Sequence, residues 1–264
     1  MDKKAIQEKA RSQFSATAAR YVDSARHASG DDLARLLELA QLRGDEELLD
    51  IATGAGHTAL AFAPRVAHVV ASDLTPRMLE VAAELAATRK VGNISFMQTQ
   101  AEALPFPADR FDLVTCRVAP HHFADPAAFV RESARVLKPG GRFLLDDQMA
   151  PDDPQLDEFV NTFERWRDAS HVRAYTAREW RAWIEAAGLQ VEHVEPFARD
   201  SYDFADWTAR SGMPADERGA LERWLLAAPP RCAEYFAIER DGDHVRSLRA
   251  DFGIIVARKP EVPR

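Results

Sequence analysis

Few of the features that place a chain in a special class are present here. Two cysteines, Cys116 and Cys232, are too few for a disulfide framework, and Cys116 ends an apolar run that reads as a buried strand, so a reducing compartment is expected. No apolar run approaches the ~20 residues of a membrane span, and Met1-Asp-Lys-Lys-Ala-Ile-Gln-Glu-Lys lacks a secretory apolar core. Basic charge is in deficit. The 34 lysines and arginines face 42 aspartates and glutamates, a formal charge of -8, and they are scattered, which argues against a nucleic-acid backbone and for small molecules as partners. No repeat, low-complexity tract or linker divides the 264 residues, so one core domain with additions, soluble and cytoplasmic, is the expectation. Nothing in the composition sets an oligomeric state.

What is present is organised around Leu48 to Ala61, Leu-Leu-Asp-Ile-Ala-Thr-Gly-Ala-Gly-His-Thr-Ala-Leu-Ala. Leu48 to Ile51 reads as a strand, helical spacing begins near His57, and Gly54 and Gly56 fall in the turn between them. Glycine there permits φ > 0 and lets a ligand approach without a Cβ, while the free N–H groups opening the helix attract polar ligand atoms. Because Gly54, Gly56 and Ala59 also fit the G-x-G-x-x-G/A pattern of dinucleotide binders, the turn alone leaves two ligands open.

Two acidic residues separate them. Asp50, four residues before Gly54 at the strand's end, is expected to face the ligand crevice. Beside a pyrophosphate, like charges about 5 Å apart would repel by roughly 3 kcal/mol at an effective dielectric of 20; beside S-adenosylmethionine, with its ammonium and sulfonium, the carboxylate attracts. Asp73 ends the run that begins at His68, 23 positions after Asp50, where a carboxylate can accept both ribose hydroxyls. Thr75, just before Pro76, is expected to cap the next helix and leave Asp73 to the ligand.

Six segments, in order and at this spacing, carry a family resemblance. They are Asp50-Ile-Ala-Thr-Gly-Ala-Gly, Val70-Ala-Ser-Asp73, Ala101-Glu-Ala-Leu-Pro-Phe106, Phe111-Asp-Leu-Val-Thr-Cys-Arg117, His121-His-Phe and Arg135-Val-Leu-Lys-Pro-Gly-Gly141. Over about residues 45 to 147 the chain resembles the class I S-adenosylmethionine-dependent methyltransferases, in particular the group that includes the ubiquinone and menaquinone biosynthesis enzymes. The resemblance implies a Rossmann-like α/β fold: a seven-stranded, mostly parallel sheet with helices on both faces and the last strand antiparallel. It implies S-adenosylmethionine as cofactor, with Tyr21, Asp50, Ala52, Gly54, Gly56, Asp73, Leu74, Ala101, Glu102 and Arg117 as the expected binding set. One departure stands out. The family commonly has an aspartate before the Ala-Glu pair, meeting the adenine amino group, and here Gln100 takes its place.

Along the chain, residues 1–44 read as helical and, by the resemblance, as a lid over the cofactor. From 45 to 198 strand and helix alternate, which makes a parallel sheet with the site at its C-terminal strand ends. The strands are expected near 47–51, 67–72, 93–98, 111–116 and 141–147, and a sixth at 189–197. Residues 199–249 form a long connection read as a lid insertion, and 250–264 the final strand and tail. Leu104, Pro105 and Phe106 are expected to wall the adenine. The aromatics from Phe159 to Phe236 are read mostly as core, with a minority lining an apolar acceptor pocket.

The loop after the fourth strand bears on chemistry. Arg117 at the strand end is placed to hold the methionyl carboxylate or an acidic substrate, or else to pair with a nearby carboxylate. His121 and His122 stand where an acceptor would meet the methyl group, and either is a candidate general base; the alternative is packing or capping. Adjacent side chains diverge, so no metal site is assigned. The reading is in-line methyl transfer to a small organic acceptor, at oxygen, nitrogen or carbon. An NAD(P)-dependent oxidoreductase and a catalytically silent S-adenosylmethionine-binding protein are the alternatives.

Overall fold

In the computed structural model, residues 2–22, 30–198 and 201–261 are described, without side chains at 19–22 and 197–198. Five strands run parallel: β1 (Glu47–Ile51), β2 (His68–Asp73), β3 (Ile94–Gln98), β4 (Phe111–Arg117) and β5 (Leu137–Gln148). With β6 (Gln190–Ala198) and β10 (Asp251–Arg258) they form one sheet in the order β3-β2-β1-β4-β5-β10-β6, in which β10 is antiparallel to both its neighbours. The order reverses between β1 and β4. A crevice opens there, beyond the carboxyl ends of the two strands.

Successive residues feed opposite faces, as the two-residue period of a strand requires. Leu48, Val69, Leu113, Leu144 and Ile254 join one buried cluster. Their successors Leu49, Val70, Val114, Leu145 and Ile255 join the other. Helix α2 (Asp31–Leu39) and α3 (His57–Phe62) cover the first face through Leu33, Leu36, Ala59 and Phe62. Helix α5 (Pro126–Val136) and α7 (Ala177–Ala186) cover the second with Phe129, Val130, Trp180 and Ile184. Both start on firm caps: the Asp125 carboxylate accepts from Ala128 N–H, and Thr176 with Glu179 forms a reciprocal capping box. Helix α4 (Pro76–Thr88) packs against α1 (Lys3–Val22) through Met78, Val81 and Ala18.

Two segments differ from the sequence reading. Leu137 already pairs with Phe111, so β5 begins four residues before the expected strand and carries the Lys-Pro-Gly-Gly turn inside its ladder. Gly141 makes that possible, since a Cβ there would lie 2.8 Å from the Lys138 carbonyl and 3.0 Å from that of Asp112. The long connection is a satellite with its own core. It holds α8 (Phe204–Arg210), α9 (Ala215–Leu226), α10 (Pro230–Tyr235) and a small sheet of β7 (Tyr202–Asp203), β9 (His244–Leu248) and β8 (Glu239–Asp241). Phe204, Trp207, Leu221, Leu225 and Phe236 pack there on Phe159 and Phe163 of α6 (Pro154–Arg167). No described helix is long and apolar enough to cross a membrane.

Candidate functional site

A cavity of about 1020 Å³, its open mouth included, lies over the β1–β4 switch point. Its floor is the end of β1 and the following turn, Ile51 to Ala55. One wall is Asp73 to Thr75 with Thr99 to Glu102, the other Arg117 to Ala119 with His122 and Phe123. Gln7, Ala10 and Phe14 of α1 close it from above. Two of the strand ends leave the sheet through left-handed backbone: Ala52 has φ 55° and Val118 φ 53°, the second an unusual conformation for a β-branched residue. Gly54 (φ 55°) and Gly56 (φ 86°) continue the turn. A Cβ on Gly54 would meet nothing within 4 Å, whereas one on Gly56 would lie 3.0 Å from the Ala82 Cβ. Gly54 therefore faces open space, and Gly56, off the wall, lets α3 start close against α4.

Asp73 braces the site. Its carboxylate accepts from Gly54 N–H at 2.9 Å and from Thr75 N–H at 2.8 Å. A carboxylate takes about four hydrogen bonds, so capacity toward the cavity remains. Burial pushes Asp73 above the usual carboxylate value, against the pull of the Thr75 and Gly54 bonds. Thr75 does occupy the cap position of α4, but its side chain makes no cap bond, and Asp73 serves the turn and the cavity together.

Several expected residues stand elsewhere. Asp50 does not line the cavity: it accepts from the hydroxyls of Thr53 at 2.6 Å and Thr115 at 2.7 Å, behind the glycine turn. Burial pushes it up to about 6, opposed by those two bonds and by Arg117. Leu104 and Phe106 are core, not wall, and the Arg135 guanidinium donates to both their carbonyls. Arg117 lines the cavity but also meets the alternative expectation, held by Asp32 at 2.7 Å and with Asp146 at 3.5 Å. Ala52, Leu74, Gln100, Ala101 and Glu102 are on the wall; Glu102 accepts from Ala124 N–H at 3.0 Å and Gln7 at 3.4 Å. The side chain of Tyr21 lies outside the described residues.

The two histidines divide. His121 is buried behind the wall, its Nδ1 2.6 Å from Asp147 Oδ1. Burial pulls its pKa down, yet the charge and hydrogen bond of Asp147, with Glu164 and Asp168, leave it above the usual imidazole value. His122 is on the wall, edge-on to Phe14 with ring centroids 4.9 Å apart. Burial, and then its neighbour His121 with ring centroids 4.1 Å away, press His122 down to about 3. A base that weak is a poor proton acceptor. Among the described residues no group of three or more His, Cys, Asp or Glu is arranged to hold a metal ion.

None of the described aromatic side chains from Phe159 to Phe236 is on the cavity wall, and neither is any described residue of 201–249. Phe14 and Phe123 take that part instead, with Gln7, Ala10, Met78 and Thr99. Phe14 lay within the residues read as a helical lid, and Phe123 sat in a quoted motif. What sequence spacing did not reveal is the pairing of β4 with β5, which brings Asp146 and Asp147 under the Arg117 and His121 loop.

Comparison with known proteins agrees with this geometry. Residues 49–145 match the methyltransferase domain family. The uncharacterised methyltransferase YcgJ of Bacillus subtilis is 44% identical over 229 residues, which cover 85% of this chain and 88% of that protein. The crystal structure of YcgJ superposes with a TM-score of 0.82 at 41% identity, covering 88% of this chain and 99% of that one. The ubiquinone/menaquinone biosynthesis C-methyltransferase UbiE of Ectopseudomonas mendocina is 36% identical over 131 residues, 48% of this chain and 51% of that protein.

Proposed function

The chain belongs to the class I S-adenosylmethionine-dependent methyltransferases, and on that footing we propose that it methylates a small organic acceptor bound between the β1–β4 crevice and helix α1. S-adenosylmethionine, when bound, supplies a sulfonium-activated methyl group, which leaves the sulfur as the acceptor's electron pair takes it, yielding S-adenosylhomocysteine and the methylated acceptor. The protein's part is then alignment, worth up to roughly 7 to 11 kcal/mol in well-oriented systems. That accounts for a wall without a nucleophile–base pair.

One observation carries the reading. Arg117 is the sole arginine or lysine among the described residues of the wall, and two carboxylates already neutralise it, while Asp73 and Glu102 add negative charge. Such a cavity favours a cationic donor over an anionic diphosphate. In this reading Asp73 takes the ribose hydroxyls. Ala52 and Gly54 let the donor approach the backbone, and Leu74, Ala101 and Glu102 flank the nucleoside. Arg117, tied to Asp32, is the group nearest in kind to the methionyl carboxylate. Asp50 and Gly56 act from behind, fixing Thr53 and the start of α3. Of the two candidate bases His122 is the one on the wall, with His121 behind it. Residues 1–44 serve as the lid, supported by Gln7, Ala10 and Phe14. The described part of the insertion meets α1, where Gln13 donates to the Ser211 carbonyl, and the cluster it belongs to packs against the wall residue Val118. Two buried thiols are in keeping with a reducing, cytoplasmic setting.

The test is transfer of labelled methyl from S-adenosylmethionine to a panel of phenols, quinol precursors and small acids. Label in product establishes the reaction. Tight binding of S-adenosylhomocysteine with no turnover on any panel member would favour a silent binding protein. Asp73→Ala is expected to lose most affinity for S-adenosylhomocysteine with circular dichroism unchanged; wild-type affinity would contradict the ribose assignment.

A further inference from the structure

We propose that Ser170 and Asp168, which stand behind the cavity wall, fix His122 as a hydrogen-bond acceptor and thereby select methyl acceptors that carry a hydrogen on a neutral oxygen or nitrogen of an apolar body. This rests on the donor-site reading above. One hydrogen decides the tautomer. Ser170 Oγ lies 2.6 Å from Asp168 Oδ1 and donates to it, while Ser170 N–H donates to the same oxygen at 2.9 Å. The Ser170 hydroxyl has no other hydrogen to give. His122 Nδ1 is 3.0 Å from the Ser170 carbonyl oxygen and 3.2 Å from Ser170 Oγ, and both can now only accept. Nδ1 must therefore carry the ring hydrogen, and Nε2 is left with its lone pair.

Protonation of Nε2 is opposed by the surroundings. Burial and the charge on His121 disfavour it, and Arg167 adds to them, against the weaker pull of Asp168 and the Ser170 carbonyl. His171, with its ring centroid 6.4 Å from that of His122, is itself held neutral by burial, and its Nε2 faces Asn161 Oδ1 at 3.2 Å. Among the described residues, the ring that meets His122 from the cavity side is Phe14. His122 thus offers an acceptor that keeps one protonation state through neutral pH, and its task is orientation, not proton storage.

Each Asp, Glu and Arg of the described wall is already engaged, Asp73 by the N–H groups of Gly54 and Thr75. Beside His122 the wall is apolar, formed by Phe14, Ala119 and Phe123. Arg117 is engaged by Asp32 and Asp146, and Glu102 by Ala124 N–H and Gln7. A carboxylate would lose hydration and bring only lone pairs to the lone pair of Nε2, and an ammonium would lose more hydration than one acceptor replaces. A neutral hydroxyl or N–H loses little and finds Nε2.

The test uses the full chain loaded with S-adenosylhomocysteine and four probes of one shape: 4-ethylphenol, 4-ethylanisole, 4-ethylbenzoate and 4-ethylbenzylamine, titrated by ligand-observed NMR. The expected result is 4-ethylphenol bound at least tenfold tighter than the other three, and that preference lost in His122→Phe. In protein labelled with 15N-histidine, His122 should show a protonated Nδ1 and a bare Nε2 that shifts on adding 4-ethylphenol. Asp168→Ala frees the Ser170 hydroxyl to donate to Nδ1, so it should mix the tautomers and cut the preference at least threefold. Adding Ser170→Ala, which removes that hydroxyl, should restore both. A merely structural role would give no such restoration. Failure of S-adenosylhomocysteine to bind wild type would remove the donor-site reading itself. If it binds, then equal affinities, no probe bound, or a hydrogen on Nε2 would overturn the inference alone.

Discussion

Gly54 and Gly56 look alike in the sequence and differ in what a side chain would cost. Alanine at 56 has both left-handed backbone, roughly 1–2 kcal/mol, and a Cβ at 3.0 Å from Ala82, so Gly56→Ala should lose about 2 kcal/mol or more in urea unfolding. Gly54→Ala meets open space and should lose less stability, but it should weaken S-adenosylhomocysteine binding more than its neighbour does. Equal effects of the two variants on both quantities would contradict the placement. Asp50 makes a prediction in pH. Its folded value of about 6 lies above the unfolded 3.8, so the folded protein holds the extra proton, and stability is fullest below about 4 and falls as pH rises through 6. Asp50→Asn removes that loss. Relative to wild type the variant should gain up to about 3 kcal/mol between pH 4 and 7 in guanidinium unfolding, and parallel curves would contradict it. Chain position was enough to find Asp73, Gln100 and Arg117 as wall residues, because each sits at or just past a strand end, and the family resemblance supplied Leu74, Ala101 and Glu102. Asp50 was misplaced for a physical reason: the carboxylate is one step too early to clear the turn, and two hydroxyls, Thr53 and Thr115, capture it.

At the scale of elements, α1 is the segment whose role most needs a measurement. It is tied down at intervals by Lys3 to Asp125, Gln13 to Ser211 and Ala18 in the Met78–Val81 cluster, with its wall residues between. As the proposed lid, α1 is expected to open locally before the sheet does. S-adenosylhomocysteine should therefore slow tryptic cleavage at Arg11 severalfold without changing cleavage at exposed Arg178, and an unchanged rate at Arg11 would argue against the lid. The helices packed on the large sheet and all seven of its strands were legible from spacing, β5 with a late start, whereas α8 and α10 in the long connection were not. The small sheet was not. β8 is exposed throughout and β7 is two residues long, too short for an alternation to show, and what orders them is packing of Tyr202, Val245 and Leu248 into the satellite core.

The whole molecule places its charge with a purpose. A sheet that reverses order between β1 and β4 gathers Asp73, Glu102 and the Asp32–Arg117–Asp146 group around one crevice, in a chain whose formal charge is -8. The fold was readable because alternating β and α segments leave few topologies; the acceptor was not, because its wall comes from α1, Phe123 and the histidine loop, which no single motif spans. In the reading proposed above, that crevice prefers a cationic donor. Isothermal titration of the wild-type chain with S-adenosylmethionine and, separately, NAD tests this most directly. Saturable binding of the first with no heat from the second is the predicted result, and binding of NAD with none of S-adenosylmethionine would contradict it.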